Sequence, residues 1–200
     1  MIANLLLLLT AAIWGFGFVA QVLGMNYLEP FAFIGARFIL GALSLLPVIW
    51  YLQRQETAAG PSIGYLVYAS CVLGTILFAA SSFQQVGLLY TTASNAGFIT
   101  GMYMVFVPIF GLMLGMATGL VTWLGCIVAA IGLFMLGVND QHRMGYGDLL
   151  QLAGAGIWAL HILAIDHFTK HAPGVQLACG QFVVCAALGI LVSAGFAGET

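Results

Sequence analysis

An isoleucine–tryptophan pair at residues 13 and 14 recurs 144 positions later as Ile157-Trp158. The same ungapped offset places Leu5, Leu6 and Leu8 on Leu149, Leu150 and Leu152, and Phe38 on Phe182. It also places Ala11, Ala20 and Ala42 on Ala155, Ala164 and Ala186, so nine identities fall within residues 5–47. Leucine and alanine matches arise easily here, but only four tryptophans exist in 200 residues and two of them share this offset. The chain reads as one unit followed by the opening of a second copy, a construction common among membrane transporters. How the copies relate in space depends on the number of helices between them.

That count comes from the apolar runs. A soluble domain carries about a quarter of its residues as charges; this chain carries 5%, with 62% hydrophobic residues, and cannot cover itself in water. A bilayer crossing takes about 20 apolar residues. Seven runs of that kind lie near residues 2–22, 30–52, 62–83, 94–116, 119–138, 148–169 and 174–196. Between them stand short breaks with turn chemistry, such as Asn26 to Pro30 and Lys170 to Gly174, none long enough for a soluble domain. The first run lacks a basic leader, and Trp14 to Phe18 is a poor cleavage region, so it reads as a retained helix rather than a signal peptide.

Five helices precede the restart. With an odd number, the second copy enters the membrane from the opposite face, and the copies are related by a two-fold axis in the membrane plane. The expected fold is therefore an all-α polytopic membrane protein of seven transmembrane helices. Residues 1–139 form a complete five-helix unit, and 147–200 form the first two helices of an inverted second one. Arg37 lies about seven residues, roughly 10 Å, inside its helix end, and its repeat mate Gln181 lies at a similar depth from the other face. An amino terminus in the cytoplasm puts Arg54 and Lys170 inside and Arg143 outside, as the positive-inside rule prefers.

Several functions are disfavoured. A net charge of −2 gives no footprint for nucleic acid. The single lysine, Lys170, has no GxxxxGK before it, which removes a phosphate-binding loop. Gly145-Tyr146-Gly147-Asp148 spells GxGD, yet no second buried aspartate stands at matching depth to share a proton. His167 and His171 have i, i+4 spacing without a convergent acid or cysteine, and Cys71, Cys126, Cys179 and Cys185 form no CxxC pair. No catalytic residue, metal site or cofactor is expected, and the chain does not read as an enzyme. Its expected partners are the lipid bilayer and a small-molecule substrate; a homo-oligomer is compatible with these residues but nothing indicates one.

Trp14-Gly15, Arg37-Phe38, Thr92-Ala93-Ser94-Asn95-Ala96, Pro108, Gly125 and Gly132 together resemble the EamA-type branch of the drug/metabolite transporter superfamily. Gly147-Asp148-Leu149-Leu150 through Trp158-Ala159-Leu160 resembles the opening of that family's second domain. The resemblance implies ten helices in two inverted five-helix units, sited in the plasma membrane, exporting or importing small metabolites such as amino acids or drugs. Two departures stand out. The chain holds two helices of the second unit, which makes a fragment of a longer polypeptide the expectation. Gly115-Met116-Ala117-Thr118 also stands where the family carries an acidic–basic pair. The reading is a secondary transporter working by alternating access between inverted repeats. The alternative is a non-transporting membrane subunit, or an incomplete transporter that needs another chain.

Candidate residues for a substrate path are Trp14, Arg37, Tyr103, Trp158, His161 and Gln181. A charge at the depth of Arg37 costs about 2.5–3.5 kcal/mol on insertion scales and is normally paired or cavity-facing. It either meets an anionic group or gate partner, or snorkels outward toward Asp148. His161, one turn from Trp158, either binds substrate or relays a proton, or bonds a neighbouring helix. Trp14 and Trp158 lie too deep for an interfacial belt and serve as cavity walls or ordinary packing. Gln84, Gln85, Asn95 and Thr100 are expected to hydrogen-bond between helices. In the fourth run, Gly97-x-x-x-Gly101 and Gly111-x-x-x-Gly115 are read as close-packing faces, with a kink at Pro108 between them.

Overall fold

The computed structural model describes residues 2–54, 61–137 and 144–197. The expected boundary near residue 139, together with Arg143 and the chain's last three residues, falls outside them. Eight helices are present among the described residues: α1 (Ile2–Gly24), α2 (Pro30–Gln53), α3 (Ile63–Gly87), α4 (Ala93–Thr100), α5 (Tyr103–Met113), α6 (Leu120–Gly137), α7 (Tyr146–Thr169) and α8 (Gly174–Ala197). No strand occurs among the described residues. Five of them (α1, α2, α3, α7 and α8) and the α4–α5 pair are each long and apolar enough to cross a membrane, and α6 adds a shorter apolar stretch, Leu120–Gly132. The protein is a multi-pass membrane protein.

Helix starts follow from capping chemistry. Glu29 accepts a bond from Ala32 N ahead of Pro30 at the first helical position. Ser62 caps α3 through Tyr65 N, and Thr92 caps α4 through Asn95 N. Asp148 reaches back to Gly145 N at 3.0 Å to close the first turn of α7.

The fourth run departs from expectation. It breaks at Gly101-Met102, giving α4 and α5, and α5 continues through Pro108. Proline removes the N–H that Met104 O would have accepted four residues back. The Cys126 thiol of α6 lies 3.4 Å from that carbonyl and takes the vacant place. The second small-residue pair is also reassigned. Gly115 has φ +77°, a left-handed conformation that favours glycine. Met116 N bonds Gly111 O at 2.9 Å and Gly115 N bonds Leu112 O at 3.0 Å, the pattern of a Schellman stop. Gly111 and Gly115 therefore end a helix rather than seat a neighbour. Gly97 does face another helix, with room for ordinary contact against the Phe18 ring of α1.

The tight packing lies elsewhere, among α2, α3, α7 and α8. Between helices in lipid the hydrophobic effect gives little, so close backbone approach and hydrogen bonds do the joining. A methyl on Gly189 of α8 would stand 2.9 Å from Gly35 N and 3.0 Å from Phe31 O of α2. Contacts fix the helix directions. Along α2 and α8, Phe31 meets Phe196, Phe38 meets Phe182 and Cys179 meets Ala42, so the two run antiparallel. Tyr65 meets Phe168 while Tyr90 meets Tyr146, so α3 and α7 are antiparallel too. Ser70 against Gly180 and Gly74 against Val184 make α3 and α8 parallel.

Candidate functional site

The 144-residue offset has a physical counterpart in the contacts. Trp14 and Trp158 are repeat mates, and their rings touch edge to face with centroids 6.0 Å apart. Phe38 and Phe182 are also mates, with centroids 5.3 Å apart. Contact between a residue and its own mate is the pattern that a two-fold axis between copies requires. Off the axis, contacts come in reciprocal pairs. Gly35 faces Ala186 O, and the mates of these residues, Cys179 and Ala42, meet through Sγ and O at 3.8 Å. Mate helices run in opposite directions, as an in-plane axis requires.

Around this axis the two halves differ. On the α7–α8 side, His161 is buried and its Nε2 stands 2.8 Å from Gln181 Oε1. The same imidazole lies edge-on to Trp158, centroids 5.6 Å apart. This bond joins two expected path residues through His161 Nε2 and Gln181 Oε1. Trp158 Nε1 is buried with no hydrogen-bond partner. On the α1–α2 side, the mate of His161 is Gly17 and the mate of Gln181 is Arg37. Nothing lies within 4 Å of where a Gly17 side chain would begin. A cavity of about 630 Å³ opens there, lined by Trp14, Gly17, Phe18, Gln21, Arg37 and Gln84 among others.

Arg37 is partly buried, with its guanidinium carbon 4.9 Å from the Phe38 ring centroid. Among the described residues it makes no ion pair or side-chain hydrogen bond. The expected reach toward Asp148 is not seen. Asp148 is taken by Thr91 Oγ1 at 2.6 Å and Gly145 N at 3.0 Å, which satisfy it at the helix start. Tyr103 is set apart from the main cavity. It packs against the Trp158 cluster and lines a second cavity of about 390 Å³ with Pro108, Gly111 and Ile162.

Beside the main cavity, Gln151 Nε2 donates to Gln84 O at 2.8 Å, Thr100 Oγ1 donates to Gln151 Oε1 at 3.3 Å, and Gln84 Nε2 reaches Thr100 Oγ1 at 3.4 Å. Gln84 and Thr100 thus bond between helices as expected, whereas Gln85 Nε2 and Ser81 Oγ are buried without partners. Gln151 and Gln21 were not singled out from the sequence. Their signal was there: each is an uncharged amide within an apolar run, near its end. Lys170 and Asp166 pair at 2.8 Å on the exposed end of α7.

Residues 1–138 match the EamA-like transporter family. An Archaeoglobus fulgidus protein named an uncharacterized transporter is 30% identical, covering 97% of this chain and 60% of its own length. A second uncharacterized transporter of the same organism is 28% identical, over 84% of this chain and 61% of its own. A probable amino-acid metabolite efflux pump of Salmonella typhimurium is 27% identical, over 84% of this chain and 54% of its own. The chain thus spans between 54% and 61% of the length of these relatives.

Proposed function

The chain belongs to the EamA-like transporter family, and from that premise we propose that it acts as a secondary transporter of small metabolites. Transport proceeds by alternating access between inverted units, the first formed by residues 1–139 and the second begun by 147–200. The path runs beside the repeat axis and is lined by Trp14, Arg37, Tyr103, Trp158, His161 and Gln181. The protein sits in the plasma membrane with its amino terminus in the cytoplasm. Family membership points to a transporter rather than an enzyme.

One observation carries the reading. The mates Trp14 and Trp158 meet at mid-span, and a cavity of about 630 Å³ opens beside them on the α1–α2 side. Inverted-repeat transporters place substrate near the midplane at such an interface. An apolar wall with a few converging polar groups is what a small-metabolite site needs. The name of the Salmonella relative makes amino-acid metabolites the first class to test.

The test is metabolite profiling of cells with and without the gene, followed by uptake of the identified compound into vesicles holding the purified protein. A compound whose distribution follows the gene, and which vesicles take up, supports the reading. Unchanged profiles together with inert vesicles contradict it. Arg37→Gln is expected to abolish transport while leaving membrane abundance unchanged; lost abundance would assign Arg37 to folding. A second reading, a unit active only with further polypeptide, is supported by the share of the relatives' length that the chain covers. It predicts that the 200 residues alone are inert, whereas transport by them alone contradicts it.

A further inference from the structure

The cavity between α1, α2 and α3 is walled largely by apolar groups, yet Arg37, Gln21 and Gln84 enter it. Gln84 is engaged in the bonds to Thr100 and Gln151. The other two are not spent. Gln21 is only 6% exposed, and its Nε2 donates to Gly17 O of its own helix at 3.1 Å. That bond fixes the amide and leaves Oε1 buried with no donor. Arg37 is steadied over Phe38, which is itself held by its mate Phe182. A guanidinium within a span calls for an anion, and its planar fork fits a carboxylate with two parallel bonds.

We propose that this cavity is a subsite for a 2-substituted monocarboxylate. The guanidinium of Arg37 takes the carboxylate. Gln21 Oε1 accepts from an N–H or O–H donor on the neighbouring carbon. The apolar remainder lies against Trp14, Phe18, Phe33 and Leu40. The same groups exclude a second anionic centre, because the cavity offers one cation and Gln21 presents an acceptor that would repel it. Two ligand sources share this chemistry, 2-amino acids and 2-hydroxy acids with apolar side chains. The two mate regions differ at this point. Where Gly17 leaves space beside Arg37, its mate position holds His161, which bonds Gln181 Oε1. The proposal rests on the transport reading for the consequence of binding, and on the cavity for binding itself.

Calorimetric titration of the purified protein tests it with four probes: L-leucine, 2-hydroxy-4-methylpentanoate, 4-methylpentanoate and L-leucinamide. Leucine or the hydroxy acid should bind tightest, and which one leads identifies the donor that Gln21 prefers. Removing the 2-substituent should weaken binding about tenfold, the worth of one lost hydrogen bond to a buried group. Replacing the carboxylate in leucinamide should weaken it by more than that. Arg37→Gln should erase the preference for leucine over leucinamide, and Gln21→Leu the preference for leucine over 4-methylpentanoate. If a variant does not fold, the four-probe order in the unaltered protein decides alone. Leucinamide binding as tightly as leucine, no heat with any probe, or unchanged preferences in folded variants each overturn the subsite. Selective binding by a protein that moves nothing in vesicles keeps the subsite and overturns the transport reading. Transport of a metabolite with unchanged KM in both variants does the reverse.

Discussion

Helices α1–α2 and α7–α8 share nine identities at one offset of 144 residues, yet they are packed in different ways. Trp158 is 8% exposed, while its mate Trp14, in ring contact with it, is 46% exposed. The reason is a neighbour. Along its length α7 lies against α3, whereas α1 touches chiefly α4 through Phe18, and Leu5 to Leu9 face outward. Side chains follow that difference. The well-covered pair carries His161 bonded to Gln181; the open pair carries Gly17, a cavity and Arg37. Mate contacts such as Trp14–Trp158 and Phe38–Phe182 follow a two-fold pattern, while the pairs Gly17–His161 and Arg37–Gln181 depart from it beside the cavity.

The largest expected effect breaks the comparison at its tightest point. Gly189→Val places carbon against Gly35 N and Phe31 O, backbone that cannot move aside. Overpacking of this kind costs about 1–3 kcal/mol or more, and the variant is expected to lose most membrane abundance. Gly17→Ala, with nothing within 4 Å, should accumulate normally. Comparing the two in one immunoblot checks the packing contrast.

Filling the open side should separate folding from function. Gly17→Leu projects into the cavity beside Arg37, so transport is expected to fall more than tenfold with abundance unchanged. Uptake per unit of protein in vesicles measures this.

On the closed side, His161→Leu leaves Gln181 Oε1 buried and unpaired, at a cost of about 1–3 kcal/mol. Adding Gln181→Leu should restore part of that loss, since replacing both partners removes the orphan. Thermal unfolding of single and double variants gives the coupling. The smallest effect is at the rim. Lys170→Ala removes an exposed pair with Asp166 and should change stability by at most about 0.5 kcal/mol.

The fold was legible to the extent that hydropathy and the offset determine it. Span positions follow from runs of apolar residues, and α1, α2, α7 and α8 begin and end within two residues of the runs read from the sequence. The break at Gly101-Met102 was not legible, because two small or flexible residues inside an apolar run look like any others. Pro108 was conspicuous, but the group that meets the carbonyl it frees, Cys126, comes from another helix and could not be read from the run itself. A small-residue pair four apart describes both a helix seat and a Schellman stop, and only the φ of Gly115 separates them. At the site, Arg37 and the bond between His161 and Gln181 involve residues already named from depth and mates. Gln21 and Gln151 were passed over because an amide in an apolar run carries no motif. The offset itself held one unread clue, Gly17 opposite His161.

The central claim is that one repeat occurs twice in opposite orientations, and the mates Asn26 and Lys170 test it most directly. Each is exposed, Asn26 just past the end of α1 and Lys170 just past the end of α7. Single cysteines at these positions, in a chain with Cys71, Cys126, Cys179 and Cys185 replaced, would be treated in intact cells with a membrane-impermeant maleimide. The account predicts that one of the two labels from outside and the other only after the membrane is opened. Labelling of both from the same side would contradict it.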